Sequence, residues 1–88
     1  MSAFTVRAIL MPTALHSRRY KNFRVLLIER RKEAGLTQEA LAQKLSKPQS
    51  FVSKYEKGER RLDVIEYLDV AAAIGFDPQR LIGELESK

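Results

Sequence analysis

Residues Thr37 to Gly58, TQEALAQKLSKPQSFVSKYEKG, read as two short helices separated by a break. Thr37 is a good N-cap, because its hydroxyl can accept from an orphan amide one turn into the helix, and Glu39 places negative charge in that first turn. Ala40, Leu41 and Leu45 fall on one face of a 3.6-residue period, with Gln38, Glu39, Gln43 and Lys44 on the other. Ser46, Lys47 and Pro48 interrupt the pattern. Proline disfavours helical backbone in the residue before it and is suited to opening a new helix at its first position. The second helix runs from Gln49 to Lys57 with Val52, Tyr55 and Phe51 available to pack inward, and Gly58 supplies a left-handed stop.

The face that this second helix leaves outside carries Gln49, Ser50, Ser53, Lys54 and Lys57, with no carboxylate among them. Such a face suits a major groove. Glutamine donates and accepts at once on an adenine edge, lysine donates to guanine acceptors or to phosphate, and serine fits either base or backbone. A solvated polar face would read the same way in isolation, so the pairing of two helices at this spacing carries the argument.

With that spacing, the stretch resembles the helix-turn-helix of the Cro and lambda-repressor type, the XRE family of bacterial and phage regulators. The resemblance spans about Phe23 to Leu85 and rests on RRKEAGLTQEALAQKL before the turn, QSFVSKYEKGER after it, and DVIEYLDVAAAIG closed by FDPQRLI. It implies an all-α, five-helix DNA-binding domain. It also implies that Gln38 touches phosphate and buttresses the recognition helix, that Gln49, Ser50 and Lys54 reach base edges, and that Glu56 pairs with Arg31. The turn departs from the family pattern, since Lys47 and Pro48 stand where a small residue and a serine or threonine cap are common.

The remainder of the chain fits around this core. Helix 1 is expected from about Tyr20 to Ala34, with Gly35 closing it; Phe23, Leu26, Leu27, Arg30 or Arg31, and Ala34 recur at three and four. Arg31 therefore enters the packed side with its charge, and an unpaired buried charge is costly. A bidentate pair with Glu56 removes most of that cost and fixes the angle of the reading helix. Ile28 is a stray apolar residue on the opposite side. In the connection ERRL, Arg60 and Arg61 are candidates for phosphate contact, alongside Thr37, Gln38, Ser53 and Lys57. Asp63 is expected to cap a fourth helix in which Val64, Ile65, Tyr67, Leu68, Val70, Ala71 and Ile74 are apolar almost all round, the pattern of a core helix. Asp77 and Pro78 open a fifth, too short to be stable alone. Phe76, Leu81, Ile82 and Leu85 either line a homodimer contact, as the resemblance implies, or close the monomer core.

Composition sets the outer bounds. The 88 residues and 44% apolar content describe one globular domain with a small core, helped by association. No cysteine is present, and the single histidine, His16, has no acidic cluster beside it. No nucleophile, base and orienting group can be assembled, so neither an enzyme nor a cofactor or metal is expected. The net charge of +5 is unevenly placed: residues 1 to 61 carry 14 basic and 5 acidic side chains, residues 62 to 88 carry 2 and 6. A field of that polarity orients a domain on a polyanion such as double-stranded DNA. Residues 1 to 19 read as an N-terminal arm, either placing Arg18, Arg19 and Lys21 near phosphate or packing on a partner; Met11 is an alternative natural start. The apolar run from Ala8 to Met11 is too brief for a signal peptide, and no stretch spans a membrane, which fits a cytoplasmic protein. The expected function is a homodimeric regulator on a palindromic operator, most simply a repressor. Two rivals are an antitoxin, with residues 1 to 19 as the handle for its toxin, and a protein-interaction module that makes no sequence-specific DNA contact.

Overall fold

A computed structural model describes residues 17 to 88 as five helices: α1 (Arg18–Glu33), α2 (Gln38–Leu45), α3 (Gln49–Lys57), α4 (Val64–Ile74) and α5 (Pro78–Glu86). Every helix contributes to one core. Its largest fully buried side chains are Leu27 of α1, Leu41 of α2, Val52 and Tyr55 of α3, Val70 of α4 and Leu81 of α5. A row of rings, Tyr20, Phe23, Tyr67 and Phe76, with successive centroids 5.4, 5.4 and 6.1 Å apart, knits α1 to α4 and to the loop before α5. Both tyrosine hydroxyls in that row are bonded at their outer ends: Tyr20 Oη accepts from the Leu62 amide at 2.9 Å, and Tyr67 Oη donates to the Pro78 carbonyl at 2.7 Å.

The caps follow the local chemistry of the sequence. Thr37 Oγ1 accepts from the Ala40 amide at 3.0 Å, and Asp63 and Glu66 form a reciprocal capping box at the start of α4. Asp77 caps α5 with Pro78 at its opening. Helix α1 begins at Arg18, two residues earlier than expected, because Ser17 accepts from the Tyr20 amide and starts the helix there. Arg18 and Arg19 are thus helical, and residues 1 to 16 of the expected arm, with His16 and Met11, lie outside the described residues.

The break between α2 and α3 is closed by backbone. Ser46 adopts the left-handed conformation (φ 56°, ψ 42°), and the Lys47 amide donates to the Ala42 carbonyl at 3.0 Å. Pro48 is the N-cap of α3 rather than its first residue, and no side chain caps that helix. On α2 the inward face is Leu41 and Ala42 with Leu45 half-buried; Ala40 is only partly covered.

The expectation of an all-round buried α4 does not hold. Tyr67, Val70 and Ala71 face the core, whereas Val64 and Ile65 are 72% and 65% exposed and Leu68 is also open. The core of a five-helix domain this small presents α4 with packing partners on one side only, so its other apolar side is left at the surface.

Candidate nucleic-acid interface

The angle of α3 is set from beneath. Arg31 and Glu56 are both buried and meet in a two-pronged pair, Nε to Oε2 at 2.7 Å and Nη2 to Oε1 at 3.0 Å. The remaining guanidinium nitrogen, Nη1, donates to the Leu36 carbonyl at 2.8 Å, which ties the end of α1 to the same point. Hydrogen bonding to Glu56 raises the Arg31 pKa against the opposing effect of burial, so the guanidinium stays charged. Gln38 completes the arrangement by donating from Nε2 to Glu56 Oε1 at 2.9 Å, and Gln49 Nε2 lies 3.5 Å from Gln38 Oε1. An unbroken polar chain thus runs from the core charge pair to the first residue of α3.

Above this base, Gln49, Ser50, Lys54 and Lys57 are exposed and Ser53 is half-exposed. Phe51, Val52, Tyr55 and Glu56 occupy the buried side. The separation of exposed polar and packing faces follows directly from helical periodicity in a nine-residue element. Thr37 is exposed at the start of α2, with its hydroxyl oxygen already accepting the capping bond.

Two of the expected phosphate contacts have other partners. Arg60 is tied to the domain's surface, with Nη1 and Nη2 on the Glu66 carboxylate at 2.9 and 2.7 Å and its guanidinium 4.7 Å from the Phe51 ring centroid. Lys47 Nζ lies 5.4 Å from the same centroid. The Arg60 hydrogen bonds, with the Asp63 amide, pull the Glu66 carboxyl down to about 2. Arg60 is therefore a brace between α3 and α4, and Arg61, exposed and without a carboxylate partner among the described residues, is the open cation of this loop. The amide nitrogen of Gln38 is likewise bonded inward, to Glu56.

The four residues expected at a dimer contact also divide. Leu81 is wholly buried in the monomer and Leu85 is half-buried against the core. Phe76 packs on Tyr67 and lies 5.8 Å from the Arg30 guanidinium; Ile82 alone is open. The larger apolar exposure is on α4, where Val64, Ile65 and Leu68 stand at helical spacings that place them on one side. Sequence reading missed it because periodicity shows which residues are apolar, and not which side receives neighbours. It also missed Arg24, whose Nη1 donates to the Glu56 carbonyl at 2.9 Å.

A helix raised on a buried charge pair, with a carboxylate-free polar face outward and a second helix braced behind it, defines a helix-turn-helix DNA-binding domain. The comparisons with known proteins agree. The family model described as Helix-turn-helix matches residues 27–81. An XRE-family like protein from Pseudomonas syringae pv. tomato is 47% identical, with a TM-score of 0.79 and 94% of each chain covered. The restriction-modification controller protein C.AhdI from Aeromonas hydrophila is 32% identical, with a TM-score of 0.65, covering 70% of this chain and 94% of its own. None of the curated proteins compared with the chain matches it. The chain belongs to the XRE-type helix-turn-helix family, and it is a DNA-binding transcriptional regulator, not an enzyme. Among the described residues, no helix is long and apolar enough to cross a membrane.

Proposed function

We propose that the protein binds a palindromic operator as a homodimer and represses transcription by occupying DNA that polymerase needs. The observation that carries this reading is the exposed, carboxylate-free face of α3, held in place by the buried Arg31–Glu56 pair. Gln49, Ser50 and Lys54 read base edges; Thr37, Ser53, Lys57 and Arg61 position the domain on the backbone. Gln38 acts mainly as the link between Glu56 and Gln49.

One recognition helix reads only a few base pairs. Two related by a two-fold axis read half-sites about one helical turn, roughly 34 Å, apart. The surface assigned to that pairing is the open side of α4, Val64, Ile65 and Leu68, with Ile82 as a further candidate. It adjoins the Arg60–Glu66 brace that ties α4 to Phe51 of the recognition helix, so self-association there would hold two reading helices at a set distance. The similarity to a restriction-modification controller supports a regulatory role and leaves the regulated genes to be found.

Selection from random duplexes at near-physiological salt tests the reading. A palindromic motif is the expected outcome, with Gln49→Ala relaxing one position and Arg61→Ala weakening all sites alike. Retention of duplexes without any motif would sink sequence-specific regulation and favour a protein partner instead.

A further inference from the structure

Beside the C-terminal end of α3 lies an open cleft of about 660 Å³ between that end and the first two turns of α1. Four cations line it, Arg18, Lys21 and Arg24 from α1 and Lys57 from α3, against a single carboxylate, Glu59. Elsewhere Arg19, Arg30 and Arg60 meet carboxylates at 2.6 to 2.7 Å, but Arg18, Lys21, Arg24 and Lys57 make no ion pair among the described residues. The preceding segment, residues 1 to 16, contains no aspartate or glutamate to neutralise them. Arg24 is fixed in place: it donates to the Glu56 carbonyl and lies so close to Gly58 that a Cβ there would be 3.0 Å from its Cζ. Its Nε is buried and has no hydrogen-bond partner. Four like charges gathered in one concave site repel one another, and an anion seated among them relieves that repulsion.

The position of the cleft says which anion. Gln49 and Lys57 are separated by about 12 Å along the helix axis, and the major groove is about 12 Å wide. When the first turn of α3 meets base edges, its last turn therefore arrives at the sugar-phosphate strand bordering the groove. We infer that the cleft formed by Arg18, Lys21, Arg24 and Lys57 seats a backbone phosphodiester of the operator, making the start of α1 part of the DNA contact. The inference rests on the DNA reading above and adds to it a site in which α1, outside the helix-turn-helix, joins Lys57 of α3.

Arg18 and Lys21 are exposed, so an Arg18→Ala/Lys21→Ala variant keeps the fold, which its helical signal and melting midpoint verify. Wild type and variant are titrated with the duplex that wild type selects, and with copies carrying one uncharged methylphosphonate linkage at each backbone position in turn. The expected result is a linkage beyond the base-reading positions that weakens wild type several-fold and leaves the variant unaffected. The slope of log affinity against log salt falls by about 1 for each phosphate lost. If every linkage keeps its wild-type penalty in the variant and the salt slope is unchanged, the cleft inference is overturned while the DNA reading stands. If wild type selects no motif, the DNA reading falls and the inference with it. Saturation of the cleft by millimolar inorganic phosphate without DNA, displacing no duplex, would instead assign it to a free anion.

Discussion

The Arg31–Glu56 pair is the residue on which the reading helix depends, and its energetics have a definite sign. Both side chains are nearly removed from water, at 10% and 4% exposure, so deleting one leaves the other buried without its counter-charge. Arg31→Ala or Glu56→Ala should each cost about 3–5 kcal/mol, read from urea denaturation. Arg31→Met with Glu56→Leu should recover much of that loss while weakening specific DNA binding, since the link through Gln38 to Gln49 is gone. A double variant as unstable as the singles would refute this account. Tyr55 presents the opposite case. Its hydroxyl is buried with no hydrogen-bond partner among the described residues, and burial, reinforced by the neighbouring Glu56 charge, pushes its pKa well above the usual value. Tyr55→Phe removes a desolvated group that gains nothing in return, so it should stabilise the fold by on the order of 1 kcal/mol. A lower urea midpoint for that variant would reveal a bonding partner for the hydroxyl.

At the scale of elements, the brace between α3 and α4 is electrostatic and therefore pH-dependent. Glu66 caps α4, receives both Arg60 prongs, and has its carboxyl held at about 2 against an ordinary 4.5. A carboxyl with a lowered folded-state pKa contributes stability that is complete above 4.5 and is lost as pH falls through the interval towards 2. The urea midpoint of wild type should drop across that window, and Glu66→Gln should remove part of the drop. Equal acid sensitivity in the two proteins would show that other carboxylates carry it. The turn between α2 and α3 illustrates how much of an element's boundary is written locally. The arrest at Ser46, Lys47 and Pro48 was legible because proline constrains its neighbours, but the left-handed Ser46 was not, since serine has no special preference for that conformation.

For the whole molecule, the decisive feature is the apolar surface left over when five helices close one core. Ile65→Asp places a charge on the exposed side of α4, 65% open in the monomer, so it should leave folding intact. It should convert a dimer to a monomer in sedimentation and reduce operator affinity by at least ~10-fold, about 1.4 kcal/mol of lost coupling. An unchanged sedimentation coefficient with full operator affinity would move the dimer contact elsewhere, Ile82 first. The charge distribution works at the same scale. Basic residues of α1, α3 and the following loop lie on the part of the chain proposed to meet DNA, whereas 62 to 88 is net acidic, so association should slow as salt is raised.

Helix number and the recognition helix with its polar face lay in the sequence, because periodicity, caps and breakers are properties of neighbouring residues; the Arg31–Glu56 partnership, 25 positions apart, was implied by the family resemblance. Local information placed each partner on a helix, Arg31 ahead of Gly35 and Glu56 before Gly58, and the structure brings the two together. Tertiary packing alone settled which apolar residues face inward. It enclosed Leu81, left Val64 and Ile65 uncovered, turned Arg60 from a free cation into a brace, and brought Arg18, Lys21, Arg24 and Lys57 around one cleft. The physical reason is that burial and charge pairing depend on residues distant in sequence: Arg24 meets the carbonyl of Glu56 thirty-two positions away, and no local pattern encodes that meeting.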